Sequence, residues 1–214
     1  MKAFIFDMDG VLTDTVLYHY LSWRQLAEEL NIPFTKKDNE KLLGLSRPDS
    51  MKIFLQGRPV SDLEFKQLLQ KKNDYFLKLL HDFSPANLLP GVLNLLTVLK
   101  KAGFLMAVAS SSRNTPLILE RLEIRDFFTA VSDSNTVANA KPAPDLFLDA
   151  AKRLMVEPEA CVVLEDSTAG IEAGLRAQML VIGIGPEELV GKAHLRYGSM
   201  SEINVAEILA YYPR

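Results

Sequence analysis

The sequence holds a single cysteine, Cys161, in 214 residues, so an internal disulfide framework is excluded. That cysteine stands in the apolar run ACVVLED, where a small buried thiol fits better than a reactive one. Long hydrophobic runs are missing as well, and none approaches the length of a membrane span. Basic tracts are equally absent: the formal net charge is −3, and Lys71-Lys72 is only a pair. These absences argue against a nucleic-acid footprint and against attraction to an anionic membrane. The opening MKAFIFD has one lysine and then meets acids, unlike a signal peptide. Repeats and low-complexity tracts are lacking too. The expectation is a cytoplasmic monomer whose partners are small molecules, neither nucleic acid nor membrane.

Apolar material is plentiful, at 48% of residues, enough for a full core with a small insertion. KAFIF (Lys2 to Phe6), FLMAVAS (Phe104 to Ser110), CVVLE (Cys161 to Glu165) and MLVIGI (Met179 to Ile184) read as strands buried on both faces, with TAVS (Thr129 to Ser132) a shorter candidate. Helical patterns separate them. In PGVLNLLTVLKKAG, Val92, Leu95, Leu96 and Leu99 form the stripe, Lys100 and Lys101 fill the last turn, and Gly103 stops it. Strands alternating with helices predict an α/β fold with a doubly wound parallel sheet.

From Val16 to Leu89 the pattern is helical only, with stripes Trp23, Leu26, Ala27, Leu30 and Phe65, Leu68, Leu69, Phe76, Leu79, Leu80. The organisation predicted is a Rossmann-like core, residues 1–15 and 85–214, carrying an inserted all-helical cap domain, residues 16–84. Thr13 to Val16 and Ser84 to Pro90 are its expected hinges. The charged residues of the last thirty positions read as a solvated surface.

Ligands of open α/β sheets bind beyond the carboxyl ends of the strands. There the chain places Asp7 and Asp9, then the run Ser110 to Asn114, Lys141 in AKPAPD, and Glu165-Asp166. The acids concentrate negative charge and require a compensating cation. All-oxygen ligands favour a hard ion, of which Mg²⁺ is usual beside phosphate. Ser110, Lys141 and backbone N–H groups are donors for phosphate oxygens. Together they imply phosphoryl transfer through an aspartyl phosphate. Residues i and i+2 of an extended segment point the same way, so Asp7 and Asp9 address one phosphoryl group. Asp7 would attack phosphorus, Asp9 would act as general acid and base, Gly10 would permit the turn, and Thr15 would orient Asp9.

Plainer readings stand beside these. Asp-x-Asp-Gly alone is also an acidic turn, and Lys141 alone a surface lysine. The serine run is also an ordinary loop with Asn114 or Thr115 as N-cap. Lys72 lies on the apolar stripe, either snorkelling from a helix edge or contacting substrate. His19 and Trp23 share a helix face, and His19 is also read as a partly buried structural residue.

DMDGVLTDT, SSSRN, KPAPD and LEDSTAGIEA resemble, in order and spacing, the four motifs of the haloacid dehalogenase superfamily of phosphotransferases. TDTVLYHYLSW, LLGLSRPDS, KKND and SSSRN bring the chain nearest to the phosphomutase branch acting on β-D-glucose phosphates. The resemblance implies that Asp7 is the nucleophile and Asp9 the acid/base. Mg²⁺ would be held by Asp7, the Asp9 carbonyl and Asp166, with Glu165 a ligand or close by. Ser110, Ser111 and Lys141 would hold the transferring phosphate, and Arg47, Ser112, Arg113 and Asn114 the other phosphate. Gly44, Leu45, Ser50 and Lys72 would face the substrate from the cap, with His19 coupling cap closure to Asp9. Arg113 and Leu45 stand where that branch has Lys and Val. The implied reaction interconverts β-D-glucose 1-phosphate and 6-phosphate, with β-glucose 1,6-bisphosphate as intermediate and activator. A sugar-phosphate phosphatase is the first alternative, and a non-catalytic sugar-phosphate-binding domain the second. Carbon–halogen cleavage fits poorly, because Asp9 has no role in it.

Overall fold

The computed structural model describes residues 2–42 and 45–211, so Gly44 of the expected substrate set lies outside the described residues. The chain forms two compact units: one of residues up to Asp14 and from Ser84 onward, the other Thr15–Phe83.

The first unit is built on six parallel strands: β1 (Ala3–Phe6), β2 (Leu105–Ser110), β3 (Ala130–Asp133), β4 (Cys161–Glu165), β5 (Leu180–Ile184) and β6 (Leu195–Tyr197). Their order is β3-β2-β1-β4-β5-β6, which puts β1 between β2 and β4. Phe6 is level with Val108 on one side and Leu164 on the other. β1, β4 and β5 are buried along their whole length, as continuous apolar runs in a two-sided parallel sheet require.

The period of two along β1 divides its residues between the faces. Ala3 and Ile5 join Val163, Ala109 and the apolar stripe of the helix Asp145–Leu154 in one core cluster. Phe4 and Phe6 meet Phe104 and Phe128 edge-on, with ring centroids 5.1 and 5.8 Å apart. Full burial of each such side chain contributes about 1.5–3 kcal/mol. Asp7 continues the ladder, its N–H donating to the Leu164 carbonyl at 3.0 Å. By parity it belongs to the face of Ile5, as Glu165 belongs to that of Val163.

The second unit is helical: α1 (Val16–Leu30), α2 (Lys36–Glu40), α3 (Arg47–Phe54) and α4 (Asp62–Leu79). Trp23, Leu26, Met51, Phe54, Leu68 and Tyr75 share its core. Ser46 and Ser61 cap α3 and α4 by accepting from the backbone N–H groups of Asp49 and Glu64. Thr35 and Asp38 form a reciprocal capping box on α2.

The remaining helices of the first unit are α5 (Val92–Lys101), α6 (Thr115–Arg121), α7 (Asp145–Leu154), α8 (Thr168–Arg176), α9 (Glu187–Val190) and α10 (Val205–Tyr211). The described charged residues of the last thirty positions are exposed, as expected, although α9, β6 and α10 lie among them. β6 pairs with β5 through three residues of alternating partial exposure, too few for a periodic signal.

Gly91 precedes α5 with φ +89°, and a Cβ there falls 2.5 Å from the Ser201 Cα. Gly91→Ala is therefore expected to cost more than about 1 kcal/mol of stability, read as a lowered urea midpoint at unchanged m-value. An unchanged midpoint contradicts this packing account.

Candidate active site

Beyond β1 the chain turns tightly. The Met8 carbonyl accepts from the N–H groups of Leu12 and Thr13, and Gly10 N–H donates to the Thr13 carbonyl at 2.8 Å. Gly10 has φ +75°, and a Cβ on it falls 1.9 Å from Asp166 Oδ2. Glycine thus serves both the left-handed turn and the approach of a carboxylate.

Adjacency of β1 and β4 sets Asp7 beside Glu165, and both face α7. Lys141 arrives just before α7, its side chain 6% exposed. Its Nζ donates to Asp7 Oδ1 at 2.5 Å, Glu165 Oε1 at 2.6 Å and the Ala109 carbonyl at 3.1 Å. Phe147 lies under the ammonium, 4.8 Å from Nζ to the ring centroid. Glu165 Oε2 accepts from the backbone N–H groups of Asp166 and Ser167 and from Ser167 Oγ, at 2.8–2.9 Å. Glu165 is thus held by four donors. The Asp166 carboxylate accepts from none of the described groups.

Carboxylate oxygens of Asp7, Glu165 and Asp166 lie within 4.8 Å of one another. Burial raises the Asp7 carboxyl above its ordinary value; Lys141 pulls it down, but Glu165 and Asp9 push it further up. Burial, then Asp7 and Glu165, raise Asp166 likewise. Burial disfavours the Lys141 ammonium, yet Asp7 and Glu165 outweigh it and hold the amine charged above its ordinary range. One ammonium does not balance these acids. An oxygen-only set with excess negative charge, and an Asp166 carboxylate with open lone pairs, fits a hard divalent cation.

On the neighbouring strand, Ser110 is buried at the end of β2, its Oγ accepting from Ser112 N–H at 3.1 Å. Ser112 Oγ accepts from Asn114 N–H at 3.2 Å, and the Ser112 carbonyl from Thr115 Oγ1 at 2.6 Å. Ser111 is half-buried, Arg113 is exposed, and Asn114 is the N-cap residue of α6.

The helical unit gathers a different set. Lys72 is 4% exposed, which replaces the snorkelling reading with a buried amine. Its Nζ lies 2.7 Å from His19 Nδ1 and 5.0 Å from the ring centroids of Trp23 and Phe76. His19 also stacks on Phe76 at 4.1 Å. Burial, and then the charge of Arg47, hold Lys72 well below the ordinary lysine range. Burial, Lys72 and Arg47 do the same to His19. Arg47 opens α3 and is half-buried. Ser50 is buried, its hydroxyl donating to the Leu42 carbonyl at 3.4 Å, while the Leu45 side chain is exposed. Thr15 is buried at the N-cap of α1.

The expected residues therefore fall into three groups: Asp7, Glu165, Asp166 and Lys141, with Asp9 near enough to act on the acids; Ser110 to Asn114; and His19, Lys72 and Arg47. The sequence reading missed Gly170, where a Cβ falls 1.7 Å from Glu165 Oε1. A glycine in the first turn of a helix just after an acidic strand end is the signal that pointed to it. The Ala109 carbonyl and the Phe147 face had no signal, because their part is set by packing.

Lys141→Met leaves the acids without their cation. The variant is expected to lose about 3–5 kcal/mol at pH 8. Its carboxyls then titrate above their unfolded values, so the folded form binds more protons and stability falls as pH rises from about 4 to 8. Denaturation curves at both ends of that window check this; equal losses at each pH contradict it.

A family model for haloacid dehalogenase-like hydrolases matches residues 1–178. The chain is 44% identical to a β-phosphoglucomutase of Bacillus subtilis over 189 residues, 86% of this chain and 84% of the relative. It is 32% identical to a phosphorylated carbohydrates phosphatase of Thermotoga maritima over 215 residues, 98% and 97% of the two chains. The crystal structure of a β-phosphoglucomutase from Clostridium difficile superposes with a TM-score of 0.94 at 36% identity, covering 99% of this chain and 97% of that one.

Proposed function

The chain belongs to the haloacid dehalogenase-like hydrolase family, and on that premise we propose that it is a magnesium-dependent phosphomutase interconverting β-D-glucose 1-phosphate and β-D-glucose 6-phosphate. The observation that carries the reading is its kinship with the Bacillus subtilis β-phosphoglucomutase.

In this reading a carboxylate oxygen of Asp7 attacks phosphorus, and an aspartyl phosphate forms as the ester P–O bond breaks. Asp9 gives its proton to the departing sugar oxygen and recovers one in the reverse step. The phosphorylated Asp7 donates to a hexose monophosphate, giving β-glucose 1,6-bisphosphate, which is also the activator. The bisphosphate reorients and returns its other phosphoryl group to Asp7. Lys141 keeps Asp7 aligned and anionic and neutralises transferring phosphate oxygens, helped by Ser110 and Ser111. Asp7, Asp166 and the Asp9 carbonyl would hold Mg²⁺, while Glu165, already saturated with donors, anchors Lys141 and the Asp166 loop. When bound, the ion supplies charge neutralisation for the nucleophile and the phosphoryl oxygens.

A mutase needs cations for both phosphates of the bisphosphate. Arg47 and Lys72 of the helical unit, and Arg113 with Ser112 and Asn114 after β2, are the groups proposed for the second. His19, bonded to Lys72, would transmit occupancy to Asp9 through the Thr15 hinge. Leu45, just before α3, and Ser50, within it, would line the substrate from the helical unit.

A second reading, a sugar-phosphate phosphatase with water as final acceptor, draws support from the Thermotoga maritima relative. Incubation with β-glucose 1-phosphate, Mg²⁺ and a trace of β-glucose 1,6-bisphosphate separates the two. Glucose 6-phosphate is expected as the main product; free phosphate as the main product supports the phosphatase instead.

Asp7→Asn is expected to abolish both phosphoenzyme and turnover, and Asp9→Asn to slow turnover by about 10²–10⁴-fold. Rapid-quench detection of acid-labile phosphoprotein reads the first; wild-type turnover in Asp7→Asn excludes it as nucleophile. Chelation of Mg²⁺ is expected to stop turnover, with recovery on adding the ion back.

A further inference from the structure

The Lys72–His19 contact has a proton count that follows from its geometry. At 2.7 Å between Nζ and Nδ1, one nitrogen must donate and the other accept. An ammonium beside an imidazolium sets N–H against N–H, so the pair carries at most one positive charge. Lys72 has no carboxylate within ion-pair distance among the described residues. Each packed element contributes its own charges: His19 on α1, Arg47 on α3, and Lys71 beside Lys72 on α4. Lys71 and Tyr75 engage Glu29 instead. Trp23 and Phe76 cover the amine, 5.0 Å from Nζ to each ring centroid. A buried amine with no carboxylate partner among the described residues, and with Arg47 opposing its charge, is costly to protonate.

We propose that in the ligand-free protein near neutral pH the pair is uncharged, the Lys72 amine accepting from the Nδ1–H of a neutral imidazole, and that it takes up one proton when a phosphate monoester dianion binds the helical unit. The proposal rests on the sugar-phosphate reading above and adds to it that substrate binding is proton-linked. The balance is simple: the amine lone pair takes a proton from solvent, Nδ1–H gives way to the other tautomer, and Nδ1 accepts from the new ammonium. The dianion compensates the charge that burial and Arg47 oppose, as both groups already lie well below their ordinary pKa ranges. By linkage, affinity weakens as pH rises, by up to about tenfold per unit, between the pKa of the free pair and that of the occupied one.

The test is calorimetric titration of the intact protein with glucose 6-phosphate at pH 8, where the ester is a dianion, in two buffers of different ionisation enthalpy. The expected result is a buffer-dependent enthalpy equal to uptake approaching one proton per ligand, lost in Lys72→Arg, whose guanidinium is permanently charged. Binding heat that is the same in both buffers, or uptake that persists in Lys72→Arg, overturns the proton linkage and leaves the sugar-phosphate reading intact. Absence of any binding heat overturns that reading, and this proposal with it. Nuclear magnetic resonance of wild-type protein carrying ¹³Cε-lysine needs no variant and no ligand. One lysine signal is expected to titrate well below the others, and its absence overturns the proposal.

Discussion

Lys141 is the cation around which the sheet end is organised. Its ammonium joins the carboxylate after β1, the carboxylate ending β4 and the carbonyl near the end of β2. Three strand termini are thereby tied by one buried charge, in a place where water cannot substitute for it. Glu165 has four donors and Asp7 has the ammonium, while the Asp166 carboxylate accepts from none of the described groups and has room for a further cation. The glycines follow from the same demand. Gly10 and Gly170 stand where a Cβ would collide with the Asp166 and Glu165 carboxylates, so the acids approach the backbone only because those side chains are missing.

The two units solve opposite electrostatic problems. The sheet end has more acid than base, and the divalent ion proposed above would restore the balance. In the helical unit an amine, an imidazole and a guanidinium are gathered, with no carboxylate within ion-pair distance of Lys72 among the described residues. In the proposal above, its balance would be restored by giving up protons or by accepting an anion. The mutase reading proposed above makes use of nearly every charged group singled out.

Much of this was legible in the chain. The four two-sided apolar runs became β1, β2, β4 and β5; β4 matches its run, and the other three start one residue later, because period and hydrophobicity register burial but not the first hydrogen bond. Asp7, Lys141 and Glu165-Asp166 were readable as a set, because they follow strands or open a helix on the side of the sheet where ligands gather. Lys72 was readable only as an anomaly on an apolar stripe. Whether its stem snorkelled or its amine was buried depended on Trp23 and Phe76, one of them on another helix. β6 and α10 escaped because a three-residue edge strand and a seven-residue helix carry too little pattern to rise above a polar background.

By itself, then, the sequence determined the alternation of strand and helix, the helical interruption and the chemical types at each strand end, since local patterning and residue chemistry are written position by position. Only the tertiary structure decided the strand order that sets Asp7 beside Glu165, the 2.5 Å contact that makes Lys141 their shared partner, and the enclosure that leaves Lys72 with an imidazole instead of an acid. Those are properties of distance and burial between residues far apart in the chain. FIFDMDGVLTDT supplies two acids and a turn; the neighbours brought by β4 and α7 decide what those acids can do.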